Sequence, residues 1–187
     1  MCAKFLDALN NSTIAALVGS VAAFCLVVAN DARRDRKVAK DQLPVLLKQL
    51  KLLVGNRLQG VNCAVAAFGA GKRQRNTGLP FPTDRIERLS ERAGSWLTDR
   101  QSFALGNLTF RMREADRFNA NARVLLDAIE QATADAAIGE NSSQNNISGL
   151  ENLAGRRYGE EKYLLEIIQQ LIDAYLDNKL NERGGIA

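Results

Sequence analysis

The chain has 187 residues, a formal net charge of +4 and no histidine. The missing imidazole excludes Ser-His-Asp and Cys-His catalysis, His-bearing zinc centres and Glu-x-x-His di-iron sites, so an enzyme would be left with carboxylate, Lys or Arg chemistry. Cys2, Cys25 and Cys63 stand far apart with no CxxC spacing, which predicts buried thiols in a reducing compartment instead of a disulfide framework or a metal site.

Leu9 to Asn30 contains no charged side chain, and Asp31-Ala32-Arg33-Arg34-Asp35-Arg36-Lys37 follows at once. As a helix the apolar run from Thr13 to Ala29 covers about 26 Å, and its polar flanks extend it into the interfaces of a hydrocarbon core roughly 30 Å thick. A cleaved leader fits less well, because Lys4 is balanced by Asp7 and the following arginines resist translocation. The expectation is a short extracytoplasmic segment at 1–11, a transmembrane helix at 12–30, a basic juxtamembrane segment at 31–44 and a cytoplasmic helical domain at 45–187. Lys- and Arg-rich flanks stay on the cytoplasmic side, which predicts a single-pass protein of the cell membrane with its amino terminus outside. Within the span Ala15, Gly19 and Ala23 put small side chains on one face, where helices can pair closely. Arg33, Arg34, Arg36, Lys37 and Lys40 are the candidates for contact with anionic lipid headgroups.

Beyond the span, Leu43, Leu46, Leu47, Leu50, Leu53, Val54, Leu58, Val61, Val65 and Phe68 recur at steps of three and four, an amphipathic helix. Pro44 lacks an amide proton and disfavours helical angles at Leu43, so a kink or restart is expected there. Gly69 and Gly71 end the helix, and 72–82 reads as a basic linker. Thr83 or Asp84 caps a short second helix through Ile86, Leu89, Ala93 and Trp96. Thr98 and Gln101 have capping-box spacing and open the longest helix. Its seam is Leu105, Leu108, Met112, Ala115, Asn119, Ala122, Leu126, Ile129, Thr133 and Ala136, and Phe103, Phe110 and Val124 form a second stripe that favours a multi-helix bundle. At Asn119 a buried amide would fix bundle register. The polar run between Gly139 and Gly149 reads as a loop. A last helix from Leu150 or Glu160 to Leu180 turns Tyr158, Leu164, Leu165, Ile168, Leu171, Ile172, Tyr175 and Leu176 inward, and Gly184 and Gly185 end it. The predicted fold class is all-α: one transmembrane helix followed by an antiparallel bundle of about four helices.

Charge divides along the chain. Residues 31–123 carry a net +10 and residues 124–187 a net −6. The basic half is attracted to an anionic leaflet, and the acidic half can fold back on it. Gly69-Ala70-Gly71-Lys72 has the ending of a phosphate-binding loop, but Ala66 replaces the first glycine, Arg73 replaces the Ser or Thr, and a helix precedes it instead of a strand. Lys72, Arg73, Arg75, Arg85, Arg88 and Arg92 could meet phosphates, yet only Phe81 and Trp96 stand nearby to stack on bases. Asp84, Glu87 and Glu91 share a helix face with basic neighbours and read as ion-pair partners. These features predict no cofactor, metal or sequence-specific nucleic acid. The function expected is that of a membrane-tethered, non-enzymatic interaction or scaffold protein, whose partners are the bilayer, its anionic headgroups, and another protein or a second copy of the chain. The alternatives are a membrane-anchored enzyme working without histidine and a nucleic-acid tether.

Overall fold

In the computed structural model the described residues are 2–76, 78–137, 143–181 and 184–185, with no side chain described in 2–19 or 143–145. Four helices account for nearly all of them: α1 (Cys2–Gly69), α2 (Thr83–Ala93), α3 (Asp99–Ala137) and α4 (Ser143–Leu176), with a 3-10 turn at Gly94–Trp96. The all-α class holds, and no strand element occurs among the described residues.

The core follows from heptad patterning. On α1 Leu43, Leu47, Leu50, Val54, Val61 and Ala64 are buried; on α3 Leu105, Leu108, Met112, Ala115, Ala122, Leu126 and Ile129; on α4 Ala154, Tyr158, Leu165, Ile168, Ile172 and Tyr175. Helix α3 packs along α4 and α4 along α1, while α2 packs against both α1 and α3. Helices α1 and α3 are therefore diagonal, with no close backbone approach of their own. Ion pairs fix the directions. Arg92 near the end of α2 reaches Asp35 at the middle of α1, at 3.8 Å, while Leu79 and Phe81, just before α2, meet Arg57 further along α1; Arg113 on α3 reaches Glu87 on α2, at 2.6 Å. The chain runs up, down, up and down.

The helix ends are set by local chemistry. At the end of α1, Gly71 has φ +68, Lys72 N–H donates to the Ala67 carbonyl at 2.7 Å and Gly71 N–H to Phe68 at 3.0 Å, a Schellman motif. The same motif closes α4: Asn178 has φ 56, Lys179 N–H donates to Ala174 at 2.8 Å and Asn178 N–H to Tyr175 at 3.2 Å. This stop precedes the expected Gly184-Gly185. The Thr98–Gln101 box forms reciprocally, Thr98 N–H donating to Gln101 Oε1 at 3.0 Å and Gln101 N–H to Thr98 Oγ1 at 3.2 Å.

Several expectations are corrected. Helix α1 passes through Pro44 without a break. The missing hydrogen bond is outweighed by the burial of Leu43, Leu46 and Leu47 on both sides of it, so the segment 31–44 is continuous with the bundle. Thr83 is buried as the first residue of α2 and makes no side-chain cap; the Pro82 carbonyl accepts from Arg85 at 3.1 Å instead. Trp96 lies beyond α2, in the 3-10 turn. Helix α4 begins at Ser143, inside the expected loop, because Ile147 and Leu150 pack on the core and override the poor helix propensity of Asn and Ser. The stripe of Phe103, Phe110 and Val124 faces outward, since α4 and α2 already occupy the inner side of α3. Thr133 is exposed also. Cys25 and Cys63 are exposed free thiols, not buried ones, and the side chain of Cys2 lies outside the described residues.

Among the described residues no helix is long and apolar enough to cross a membrane. The span expected at 12–30 has its first eight side chains outside those described, and the remaining eleven residues make only about 16 Å of helix.

The seam assignment on α3 makes a direct prediction. Leu126→Ala, at a buried site, should cost about 2–5 kcal/mol, whereas Val124→Ala, two residues away and exposed, should change stability by no more than about 0.5 kcal/mol. Urea unfolding followed by circular dichroism checks both; equal effects would reject the assignment.

Candidate functional site

Three heptad positions that should be apolar are polar: Arg57 between Val54 and Val61, Asn119 between Ala115 and Ala122, and Glu161 between Tyr158 and Leu165. Because α1, α3 and α4 share one core, these interruptions can be tolerated only if they meet. They do, in a single layer near the middle of the bundle. Arg57 is 3 % exposed, Asn119 4 %, Asn76 5 % and Glu161 0 %, so solvent contributes almost nothing to their hydrogen bonding.

Glu161 is the hub. Its Oε1 accepts from Arg57 Nε at 2.7 Å, from Asn119 Nδ2 at 3.1 Å and from Asn76 Nδ2 at 3.4 Å, and Oε2 accepts from Asn119 Nδ2 at 3.0 Å. Arg57 crosses the diagonal gap that no aliphatic side chain would satisfy. Its Nη2 donates to the Ala115 carbonyl at 3.0 Å, and its Nη1 donates to Asp116 Oδ1 and to the Leu79 carbonyl, the latter at 3.2 Å. The guanidinium also lies 4.6 Å from the centroid of the Phe81 ring.

The linker closes over this layer. Phe81 N–H donates to Asp116 Oδ2 at 3.0 Å and Asn76 N–H to the Tyr158 hydroxyl at 3.1 Å. Arg123 holds two linker carbonyls, Asn76 by Nε at 3.2 Å and Gly78 by Nη2 at 3.1 Å. Two glycines make room: a Cβ on Gly60 would stand 2.8 Å from Asn76 Oδ1, and one on Gly78 would stand 3.0 Å from the Arg57 stem. Among the described residues no buried side-chain polar atom lacks a partner. Arg57 and Arg123 balance Asp116 and Glu161, so the layer is neutral as well as satisfied.

Burial pushes the Glu161 carboxyl above its ordinary range, opposed by the Arg57 guanidinium and by the Asn119 and Asn76 amides. Burial likewise raises the Tyr158 hydroxyl, opposed by the Asn76 N–H, and pushes Tyr175 up to about 12. The layer's buried polar atoms are paired with one another and with the linker, and Asp116 at its edge, with 26 % of its side chain exposed, is held by Arg57 and the Phe81 N–H. The layer's chemistry is that of a fastener.

The sequence-derived site residues fall elsewhere, with one exception. Asn119 is in the layer. Arg33, Arg34, Arg36 and Lys37 are exposed on α1, and Lys40 is half-buried beside a cleft lined by Pro44, Gln101 and Tyr175. Ala23 is exposed, whereas Ala15 and Gly19 lie outside the described side chains. Two linker cations pair on the surface with the acidic half: Arg73 reaches Glu151 at 2.8 Å, and Arg75 reaches Asp127 and Glu130 at 2.7 Å each. Asp84 and Glu87 pair with Arg113, and no group of three candidate metal ligands occurs among the described residues. Sequence reasoning missed Arg57 and Glu161, although each breaks a heptad as visibly as Asn119 does. Asn76 carried no signal, being a linker residue whose burial depends on three helices at once.

The chain matches no known family model, no curated protein and no solved structure. The arrangement described above therefore carries the functional reading by itself.

Two measurements probe the layer. Arg57→Met should destabilise the bundle by about 3–5 kcal/mol because it strands the buried Glu161 carboxylate, and adding Glu161→Met and Asn119→Leu should recover most of that loss. A triple variant no more stable than the single one would deny that the three residues act together. The second is pH dependence. A raised folded-state carboxyl favours folding fully below its ordinary pKa of 4.5, and the advantage is lost as pH rises through the folded value. The stability of the native protein relative to Glu161→Gln should fall as pH climbs above that point and then level off, as read from urea unfolding at stepped pH.

Proposed function

We propose that the protein is a membrane-tethered interaction or scaffold module, anchored by residues 12–30, with its helical bundle on the cytoplasmic side of the cell membrane. One observation carries this reading: α1 enters the core as one unbroken helix, yet every described residue from 20 to 38 is exposed. Val21, Phe24, Leu26, Val27 and Val28 point in all directions around the helix and are at least half exposed. A helix apolar on every side that its own chain leaves bare needs an apolar surrounding, and a bilayer supplies one. The seventeen residues Thr13–Ala29 carry no charge, and the basic cluster follows on the side that stays cytoplasmic.

The neutral, internally paired layer supports the non-enzymatic reading, because the bundle's best-organised polar groups are spent on one another. The same layer gives Asn119, with Arg57 and Glu161, a role in register: any slip of one helix against the others would leave a buried charge unpaired. Arg33, Arg34, Arg36 and Lys37, exposed directly after the apolar run, are free to meet anionic headgroups.

The chain should stay with membranes through high-salt and carbonate washing, and a reporter fused after Ala187 should read as cytoplasmic. Changing Arg33, Arg34, Arg36 and Lys37 to Glu should weaken that orientation. Extraction into the soluble fraction, or an exported reporter, would reject the anchor or its direction.

A further inference from the structure

The chain has one tryptophan, and the fold places it at the end of the bundle nearest the apolar part of α1. Helix α2 descends toward that end, and its penultimate residue, Arg92, reaches Asp35. Gly94, with φ +48, then turns the chain through a conformation that a side chain would strain, and its N–H donates back to the Ser90 carbonyl. Leu97 N–H donates to the Gly94 carbonyl at 3.1 Å and its side chain is buried, which fixes the turn. Trp96 is left 39 % exposed on a turn that packs against α1.

Height along α1 gives this placement a meaning. Asp35 lies five residues past Asn30, or about 7 Å along the helix axis, and the headgroup zone adds roughly 5–7 Å to each side of the hydrocarbon core. The turn therefore stands at the level where the headgroup zone ends if residues 12–30 span. Exposed cations surround that level, among them Arg33, Arg34, Arg36, Lys37 and Arg92. Tryptophan beside cations is the combination that settles in an anionic interface, with the ring among glycerol and headgroup atoms and the charges on phosphate and carboxylate.

We infer that the bundle docks end-on to the anionic leaflet, with Trp96 inserted at headgroup depth and Arg92 and the α1 cations on lipid phosphates. This inference rests on the membrane reading, and it adds that the bundle is held against the surface instead of standing clear of it. A held bundle presents its outward Phe103 and Phe110 stripe at a defined height above the membrane.

Because Trp96 is the only indole, its fluorescence reads the contact directly. The full chain would be reconstituted into phosphatidylcholine vesicles containing about a third phosphatidylserine, with and without lipids brominated on the acyl chain close to the headgroup. Docking should give roughly a twofold loss of Trp96 emission with the brominated lipid, together with protection from aqueous acrylamide. A paired variant, Trp96→Phe with Phe110→Trp, moves the probe to α3 about 16 Å above Asp99, where emission should be unaffected by bromine and fully accessible to acrylamide. If the chain floats with the vesicles while Trp96 stays unquenched and accessible, end-on docking is overturned and the anchor stands. Equal quenching at positions 96 and 110 would also overturn it, since the bundle would then lie on its side. A chain that does not float overturns the membrane reading itself.

Discussion

Helices α1 and α3 sit across a diagonal, and the Arg57 side chain spans the distance between them. An aliphatic residue at that position would leave a gap and take the cationic partner from the Asp116 and Glu161 carboxylates. Arginine suits the geometry because its fork donates in several fixed directions at once, here to α3, to α4 and to the linker. Three helices and a connecting segment thus converge on one guanidinium, and displacing any of them disturbs the partners of the rest.

Such a layer is a costly device. Hydrophobic residues of similar volume would give equal or greater stability at the same sites, because desolvating two charges offsets most of their attraction. In the register role we propose for it, what the layer adds is discrimination. The apolar seams of α1, α3 and α4 are built from Leu, Ile, Val and Ala in repeating order, and such seams match themselves again after one heptad. A shift by seven residues would keep most apolar contacts and still bury Arg57 away from Glu161. The polar residues break that degeneracy, and Gly60 and Gly78 keep the linker close enough to seal them.

The charge asymmetry of the sequence acquires a mechanical reading in the fold. Basic residues of the linker close onto acidic residues of α3 and α4, Arg73 on Glu151 and Arg75 on Asp127 and Glu130. These pairs are exposed and individually weak, but they neutralise the far end of the bundle. The cations on α1 from Arg33 to Lys37 are left largely without such partners, Arg92 and Asp35 forming one long contact among them. Positive charge is therefore concentrated at the end of the bundle from which the apolar helix emerges.

Much of this was legible in the residues alone. Heptad steps located the inner faces of α1, α3 and α4, the Thr98–Gln101 spacing marked a helix start, and Gly71 marked a helix end, because each of these depends on neighbours within a few residues. The apolar run and its basic flank likewise need no tertiary information. What depended on distant contacts was hidden. Pro44 reads locally as a break, and only packing on both sides of it makes the helix continuous; the Asn- and Ser-rich stretch reads as a loop, and only Ile147 and Leu150 against the core carry helix into it. Phe103, Phe110 and Val124 have the periodicity of a buried face, but periodicity cannot say which of two apolar stripes a neighbour will cover. Arg57, Asn119 and Glu161 are each visible as an exception to a heptad, and nothing in a linear chain states that three exceptions share a level. Sequence by itself determined which faces are apolar, where α1 ends and α3 begins, and where charge lies. Tertiary structure alone decided which polar interruptions meet, since that follows from the relative axial positions of helices whose contacts lie up to 104 residues apart.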